Sequence, residues 1–200
     1  MMGDDAKALR SLVSSVHRHL GDPYFSGVSL HVFDFGNDIM PGETIQVRRS
    51  LNDFDKIFPQ LIASCNPAQR GNGNLLESYS AMPLHVVIIL RTDAIDMGNL
   101  SEVTRKGLIA IINQGKESGI SMVLHSAGDS VFGSTQLGEI TRYAFTLKMA
   151  LIGAPGDFIS SAYFIDPEVK IPSKTYEALV EGSESVSCLG VNKIWLFNKE

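Results

Sequence analysis

Leu84-His-Val-Val-Ile-Ile-Leu90, followed at once by Arg91-Thr92-Asp93, is the stretch on which the fold of this chain turns. Its last five apolar residues, Val86 to Leu90, are aliphatic and mostly β-branched. A strand with one wet face shows a polar residue at every second position. A run without that alternation suits a strand buried on both faces, as in a parallel sheet with helices above and below. Ligands of open α/β sheets sit at the C-terminal ends of such strands. Residues 91 to 93 therefore occupy the address of a functional site, and they bring to it a cation, a hydroxyl and a carboxylate.

Working outward, a helix is expected from about Ser101 to Glu117, with Leu108, Ile109, Ile111 and Ile112 as core residues, and then a short buried strand at Ile120–Leu124. Upstream, Asp4 to Leu20 reads as a helix, because Leu9, Leu12, Val13, Val16 and Leu20 make one apolar stripe. Asp4 and Asp5 fall in its first turn, where the helix dipole favours negative charge, and Gly21 stops it. His17 and His19 are two apart and point to different sides, so they are no metal pair. Gly27–Phe35 is the first strand and ends on Asp34, with turn chemistry following at Gly36-Asn37-Asp38 and Pro41-Gly42-Glu43. Ser50 to Asp53 resembles a capping box and opens a helix through about Cys65, with Phe54, Ile57, Phe58, Leu61 and Ile62 on its apolar stripe. Asn66–Asn74 has no periodicity and reads as a loop. Tyr143–Leu151 and Val191–Phe197 supply two late strands, with a polar connection between Pro155 and Gly190.

This order predicts one α/β domain over residues 1–200, a mostly parallel sheet flanked by helices, with an antiparallel edge late in the chain. One feature is unusual. Doubly wound domains begin on a strand, whereas this sequence opens on a helix; the first strand is either missing or supplied upstream.

The bulk numbers exclude several function classes. The 200 residues are 44% hydrophobic and 20% charged, enough for one domain with a substantial core. No apolar run approaches the roughly 20 residues that span a bilayer, and no basic-then-apolar secretory signal opens the sequence. Cys65 and Cys188 are isolated, so a disulfide framework is not expected. The net charge is -5, and the densest basic clusters, Arg48-Arg49 and Arg105-Lys106, are two residues long. Nucleic-acid binding by this domain alone is disfavoured.

Gly3-Asp-Asp-Ala-Lys7-Ala8 precedes the first helix. A phosphate-binding P-loop needs glycines so that backbone can wrap phosphate, a Lys for the outer phosphates, and a Ser or Thr for magnesium. Gly3 and Lys7 fit that spacing, but Ala6 stands at the second glycine and Ala8 at the hydroxyl. Asp4 and Asp5 would also put negative charge where a polyphosphate lies.

Three further segments are collinear with this one. Gln114-Gly-Lys-Glu-Ser-Gly-Ile-Ser-Met-Val-Leu124 resembles the QGRxxGIHLLL segment of the FtsK/SpoIIIE family of P-loop translocase ATPases. Leu30-His-Val-Phe-Asp-Phe35 is similar to that family's LxLLDFK strand, and Glu77-Ser-Tyr-Ser80 before Pro83 resembles its approach to the Walker B strand. Order and spacing agree over about three quarters of the chain.

The resemblance implies a P-loop NTPase-like (RecA-like) fold with its hydrolytic parts gone. The Walker B acidic pair falls on Arg91 and Thr92, and the Thr-Gln sensor falls on Ser126 and Ala127. Lys7 survives without its glycine and hydroxyl. Magnesium then has neither its hydroxyl nor its carboxylate, and no carboxylate activates water. Asp93 and Asp96 are displaced from the strand end. The translocases of type VII secretion, of the EssC/EccC kind, string several such domains on one chain, some lacking good Walker residues. The resemblance therefore implies an interaction, docking or regulatory module without metal or catalytic residues and with at most weak ATP binding. Its partners would be sister ATPase domains and a secreted protein substrate, and its location the cytoplasmic, soluble part of a membrane-anchored complex. An active DNA or protein translocase motor with rearranged acids, and a stand-alone α/β protein-binding module, are the alternatives.

Other polar residues carry structural expectations. His31, His85 and His125 lie in or beside strands without ligand spacing and are expected to be satisfied interior or edge histidines. Asp34 is expected as a cap or hydrogen-bond acceptor. Arg91 is expected to pair with Asp34, Asp93 or Asp96.

Overall fold

The apolar run Leu84–Leu90 is an inner strand of a parallel sheet, with a strand hydrogen-bonded on either side. The computed structural model describes residues 1, 3–39, 45–64, 84–114, 119–128, 141, 144–145, 147–151, 154, 174, 177–182 and 192–195. In order these form α1 (Ala6–Leu20), β1 (Val28–Asp34), β2 (Val47–Arg48), α2 (Leu51–Ser64), β3 (Leu84–Leu90), α3 (Glu102–Gln114), β4 (Ile120–Leu124), β5 (Leu147–Ala150), β6 (Glu177–Gly182) and β7 (Asn192–Trp195). Short 3-10 turns lie at Pro23–Phe25, Thr92–Ala94 and Met97–Asn99.

The first sheet has the order β2-β1-β3-β4 and is parallel throughout. Its register places Asp34 opposite Leu90 and Ile89 opposite Leu124, so β1, β3 and β4 end nearly level. That level edge is what brings Asp34, Arg91 and His125 together.

Alternate residues of the strands feed two cores, as the pleat requires. Phe33, Val87 and Ile89 pack with Phe54, Phe58 and Leu61 of α2 and with Leu108, Ile111 and Ile112 of α3. Val32, Ile88 and Leu90 pack with Leu9 and Val13 of α1 and with Leu151. Val87 to Leu90 are wholly buried, which is the two-sided burial expected of an inner parallel strand. Phe54 organises the α2 side: it meets Phe33 edge-on, with centroids 4.8 Å apart, and stacks on Phe58 at 4.9 Å.

Several boundaries differ from the sequence expectation. Helix α1 begins at Ala6, with Asp5 as its N-cap, because the Asp5 carboxylate accepts from the Ala8 N–H and closes the helix there. β2 is two residues long, too short to show a periodic pattern. The segment read as a polar connection contains β6, whose apolar centre is only Ala178-Leu179-Val180; it is a strand because β5 and β7 pair with it on both sides. The late antiparallel edge is a separate three-stranded sheet, β5-β6-β7. The Asn66–Asn74 loop, the Glu77–Ser80 segment and both cysteines lie outside the described residues.

No helix among the described residues is long and apolar enough to cross a membrane. Helix α1 is the first described element. Among the described strands, β2 and β4 are the edges of the first sheet and β5 and β7 those of the second.

Candidate functional site

At the C-terminal edge of the sheet, the end of β1 is fixed by Asp34. It is fully buried, and its carboxylate accepts the N–H groups of Gly36 (3.1 Å) and Ile39 (2.7 Å). Asp34 is thus the hydrogen-bond acceptor expected of it, and it shapes the loop that carries Asp38.

Arg91 leaves β3 in the left-handed region, at φ 59° and ψ 50°, an uncommon conformation for a side-chain-bearing residue. Its guanidinium donates to Asp93 through Nε (3.2 and 3.3 Å) and Nη2 (3.1 Å), and it lies 3.9 Å from Asp38. Asp93 in turn accepts the Ala127 N–H (2.9 Å) and the Ser126 hydroxyl (3.3 Å) of the β4 end. Of the three expected partners Arg91 takes Asp93. The other carboxylate beside it is Asp38, which the sequence did not single out; Asp34 and Asp96 are bonded to nearby backbone instead.

Thr92 is wholly buried. Its N–H and its hydroxyl both donate to the His125 carbonyl, at 2.9 and 3.0 Å, so the side chain is turned into the β3–β4 seam.

The N-terminal segment runs beside the β4 end. The Met1 amine donates to the Leu124 carbonyl (2.7 Å), Ser126 N–H to Met1 (3.1 Å), and Gly3 N–H to Ser126 (3.1 Å). Gly3 turns the chain at φ 128°, a conformation that favours glycine. The Gly3 carbonyl lies 2.8 Å from His125 Nε2, which makes Nε2 the protonated nitrogen; Nδ1 faces the Arg91 N–H at 3.4 Å. The chain then enters α1, whose N-terminus is capped by the buried Asp5 carboxylate. Lys7, the second residue of α1, is exposed and forms no ion pair among the described residues.

The electrostatics follow from this geometry. The hydrogen bonds from Arg91 to Asp93 raise the Arg91 pKa further. Burial pushes Asp93 up, but the bonds it accepts from Arg91 and Ala127 outweigh that and hold it below the usual carboxylate range. Asp38 is raised, first by burial and then by neighbouring Asp34, with Arg91 opposing. Burial pushes His125 down to about 4 and the Met1 amine to about 5, so both are neutral near pH 7.

Four of the five expected site residues, Gly3, Arg91, Thr92 and Ser126, thus meet at one edge, and Lys7 stands apart from their contacts. The histidines are largely interior as expected. His31 Nε2 and His85 Nδ1 lie 3.1 Å apart across β1 and β3, although His31 Nδ1 is buried without a partner. No group of three His, Cys, Asp or Glu able to hold a metal occurs among the described residues. Asp5, Asp38 and His125 were not picked out from the sequence as site residues. For Asp38 the only signal was its place in a turn between two strand ends.

No protein-family model matches the chain, and no curated protein matches it significantly. Solved structures do. The cytoplasmic domain of the Thermomonospora curvata type VII secretion ATPase EccC superposes with a TM-score of 0.70 at 11% identity, over 100% of this chain and 23% of that one. The chain shares with that ATPase domain its α/β architecture, a parallel sheet flanked by helices. ATPases 2 and 3 of the same EccC, in complex with a signal sequence peptide, match with a TM-score of 0.68 at 12% identity, covering 100% of this chain and 36% of that chain. ATPases 2 and 3 of EssC from Geobacillus thermodenitrificans give 0.66 at 12%, covering 100% and 39%. The chain thus spans 23% to 39% of these larger chains. At such identities the likeness concerns architecture, and what the edge does rests on its own residues.

Proposed function

We propose that this ATPase-like domain does not hydrolyse nucleotide and serves as an interaction, substrate-docking or regulatory module of a translocase, of the type VII secretion kind. The observation that carries the proposal is the Arg91 guanidinium at the end of β3, between Asp93 and Asp38. A magnesium–nucleotide complex needs carboxylate and hydroxyl oxygens for the ion, and cations and free N–H groups for the phosphates.

The residues present do not fit that group. Where the resemblance places the Walker B acids the chain carries the Arg91 guanidinium, and the neighbouring Thr92 hydroxyl is committed to a backbone carbonyl. A helix N-terminus is a ready anion site, but that of α1 is already capped by Asp5. Gly3 and Lys7 are the remnant of the P-loop, with Gly3 held in backbone bonds and Lys7 turned to solvent. The charges at this edge are instead set against one another within the chain, Arg91 against Asp93 and Asp38.

Its partners are then sister ATPase domains, of the same or neighbouring chains, and a secreted protein substrate, as the peptide complex of its structural neighbour suggests. Its place is the cytoplasmic side of a membrane-anchored complex. The test is phosphate release by the purified domain with magnesium and ATP, run beside co-purification with sister domains. We expect no turnover and stable association; turnover abolished by Lys7→Ala identifies an active motor instead.

A further inference from the structure

We propose that Arg91 is a built-in clasp that joins the ends of β1, β3 and β4 and holds this edge in one conformation without any ligand. Three observations converge on it. Its side chain reaches both ways across the sheet edge, to Asp93, which is bonded to Ser126 and Ala127 after β4, and towards Asp38 in the loop after β1. Its backbone is held at φ 59°, a strained position that persists only where the surroundings over-determine it. The loop after β1 is shaped to receive it: a Cβ on Gly36 would collide with Arg91 Cγ and sit 2.9 Å from an Asp38 carboxylate oxygen.

A bound ion ties strand ends together only while it stays bound. A guanidinium fixed in the chain does so permanently, and its planar fork makes the paired bonds to Asp93 that a Lys ammonium cannot reproduce. In its consequence the inference rests on the silent-site reading: a module with this clasp keeps one shape at its edge whatever the nucleotide concentration.

Amide hydrogen exchange followed by NMR on the whole chain, without nucleotide, tests it. In Arg91→Ala we expect exchange to quicken about tenfold or more at Gly36, Ile39 and Ala127, whose N–H groups bond to Asp34 and Asp93, while Val32 and Ile88 in the strands keep their protection. Arg91→Lys should recover part of the protection. Arg91→Gly separates strain from clasping: it relieves the left-handed backbone, so thermal stability holds or rises while the edge amides still exchange fast. Unchanged exchange at the three edge amides in Arg91→Ala overturns the clasp, and so does an equal rise across the whole sheet. Because no nucleotide is present, this experiment can fail while the domain remains hydrolytically silent, and ATP turnover by the native chain leaves the exchange result standing.

Discussion

Gly36 and Arg91 are fitted to each other across the sheet edge: a Cβ on Gly36 would overlap Arg91 Cγ and stand 3.1 Å from Arg91 Cβ. The glycine is therefore needed for close approach. Gly36→Ala should cost about 1–3 kcal/mol, the usual range for overpacking. In a double-mutant cycle with Arg91→Ala the cost should shrink, because the colliding atoms are gone. Urea midpoints of the four proteins measure the coupling; purely additive losses would show that the two residues do not constrain each other.

The N-terminus of α1 gives a second contrast. Asp5→Ala removes the acceptor of the Ala8 N–H and should destabilise by about 1 kcal/mol, with Asp5→Ser recovering most of it. Lys7→Ala, at an exposed site, should stay within about 0.5 kcal/mol of the parent. Thermal melts of the three variants check this. A larger loss from Lys7→Ala than from Asp5→Ala would mean that the Lys, not the cap, organises this end of the helix.

His125 makes stability depend on pH. It is fully buried and its pKa falls from 6.5 to about 4, so between those values the unfolded chain binds more protons. The His125 contribution is then complete above about pH 6.5 and declines as pH falls towards 4, by on the order of 3 kcal/mol over the whole window. The lowered His31 and Met1 amine act in the same direction. Chemical denaturation at pH 7 and 4.5, compared with His125→Gln, isolates the His125 share; the variant should start less stable and lose less on acidification. Equal slopes for both proteins would remove His125 from the account.

In the core, Phe54 is wholly buried between Phe33 and Phe58. Phe54→Ala should cost about 3–5 kcal/mol, while Phe54→Leu, which keeps much of the volume, should cost far less. Guanidinium melts decide it, and a loss under 1 kcal/mol for the alanine variant would mean that the α2 face repacks without it.

Where the sequence was informative, one physical signal dominated. The apolar run before Arg91, with almost no polar alternation, suited a strand buried on both faces, and its end marked the address of a site. The stripes of α1, α2 and α3 followed from helical spacing. β2 and β6 were hidden because two residues, or three apolar ones between glutamates, carry no periodicity; neighbouring strands make them. At the site, Arg91, Thr92 and Ser126 were placed by collinearity. The approach of Asp38 was not, since it depends on how Asp34 folds the following loop. The left-handed turn at Arg91 was equally hidden, because nothing in the local residues demands a positive φ there.

On the function proposed above, the edge around Arg91 is filled by its own paired charges and takes no magnesium–ATP. Titration calorimetry of magnesium–ATP into the purified chain, with phosphate release followed in the same samples, tests it most directly. We predict no saturable heat and no phosphate release. Saturable binding with magnesium-dependent hydrolysis that disappears in Lys7→Ala would contradict it.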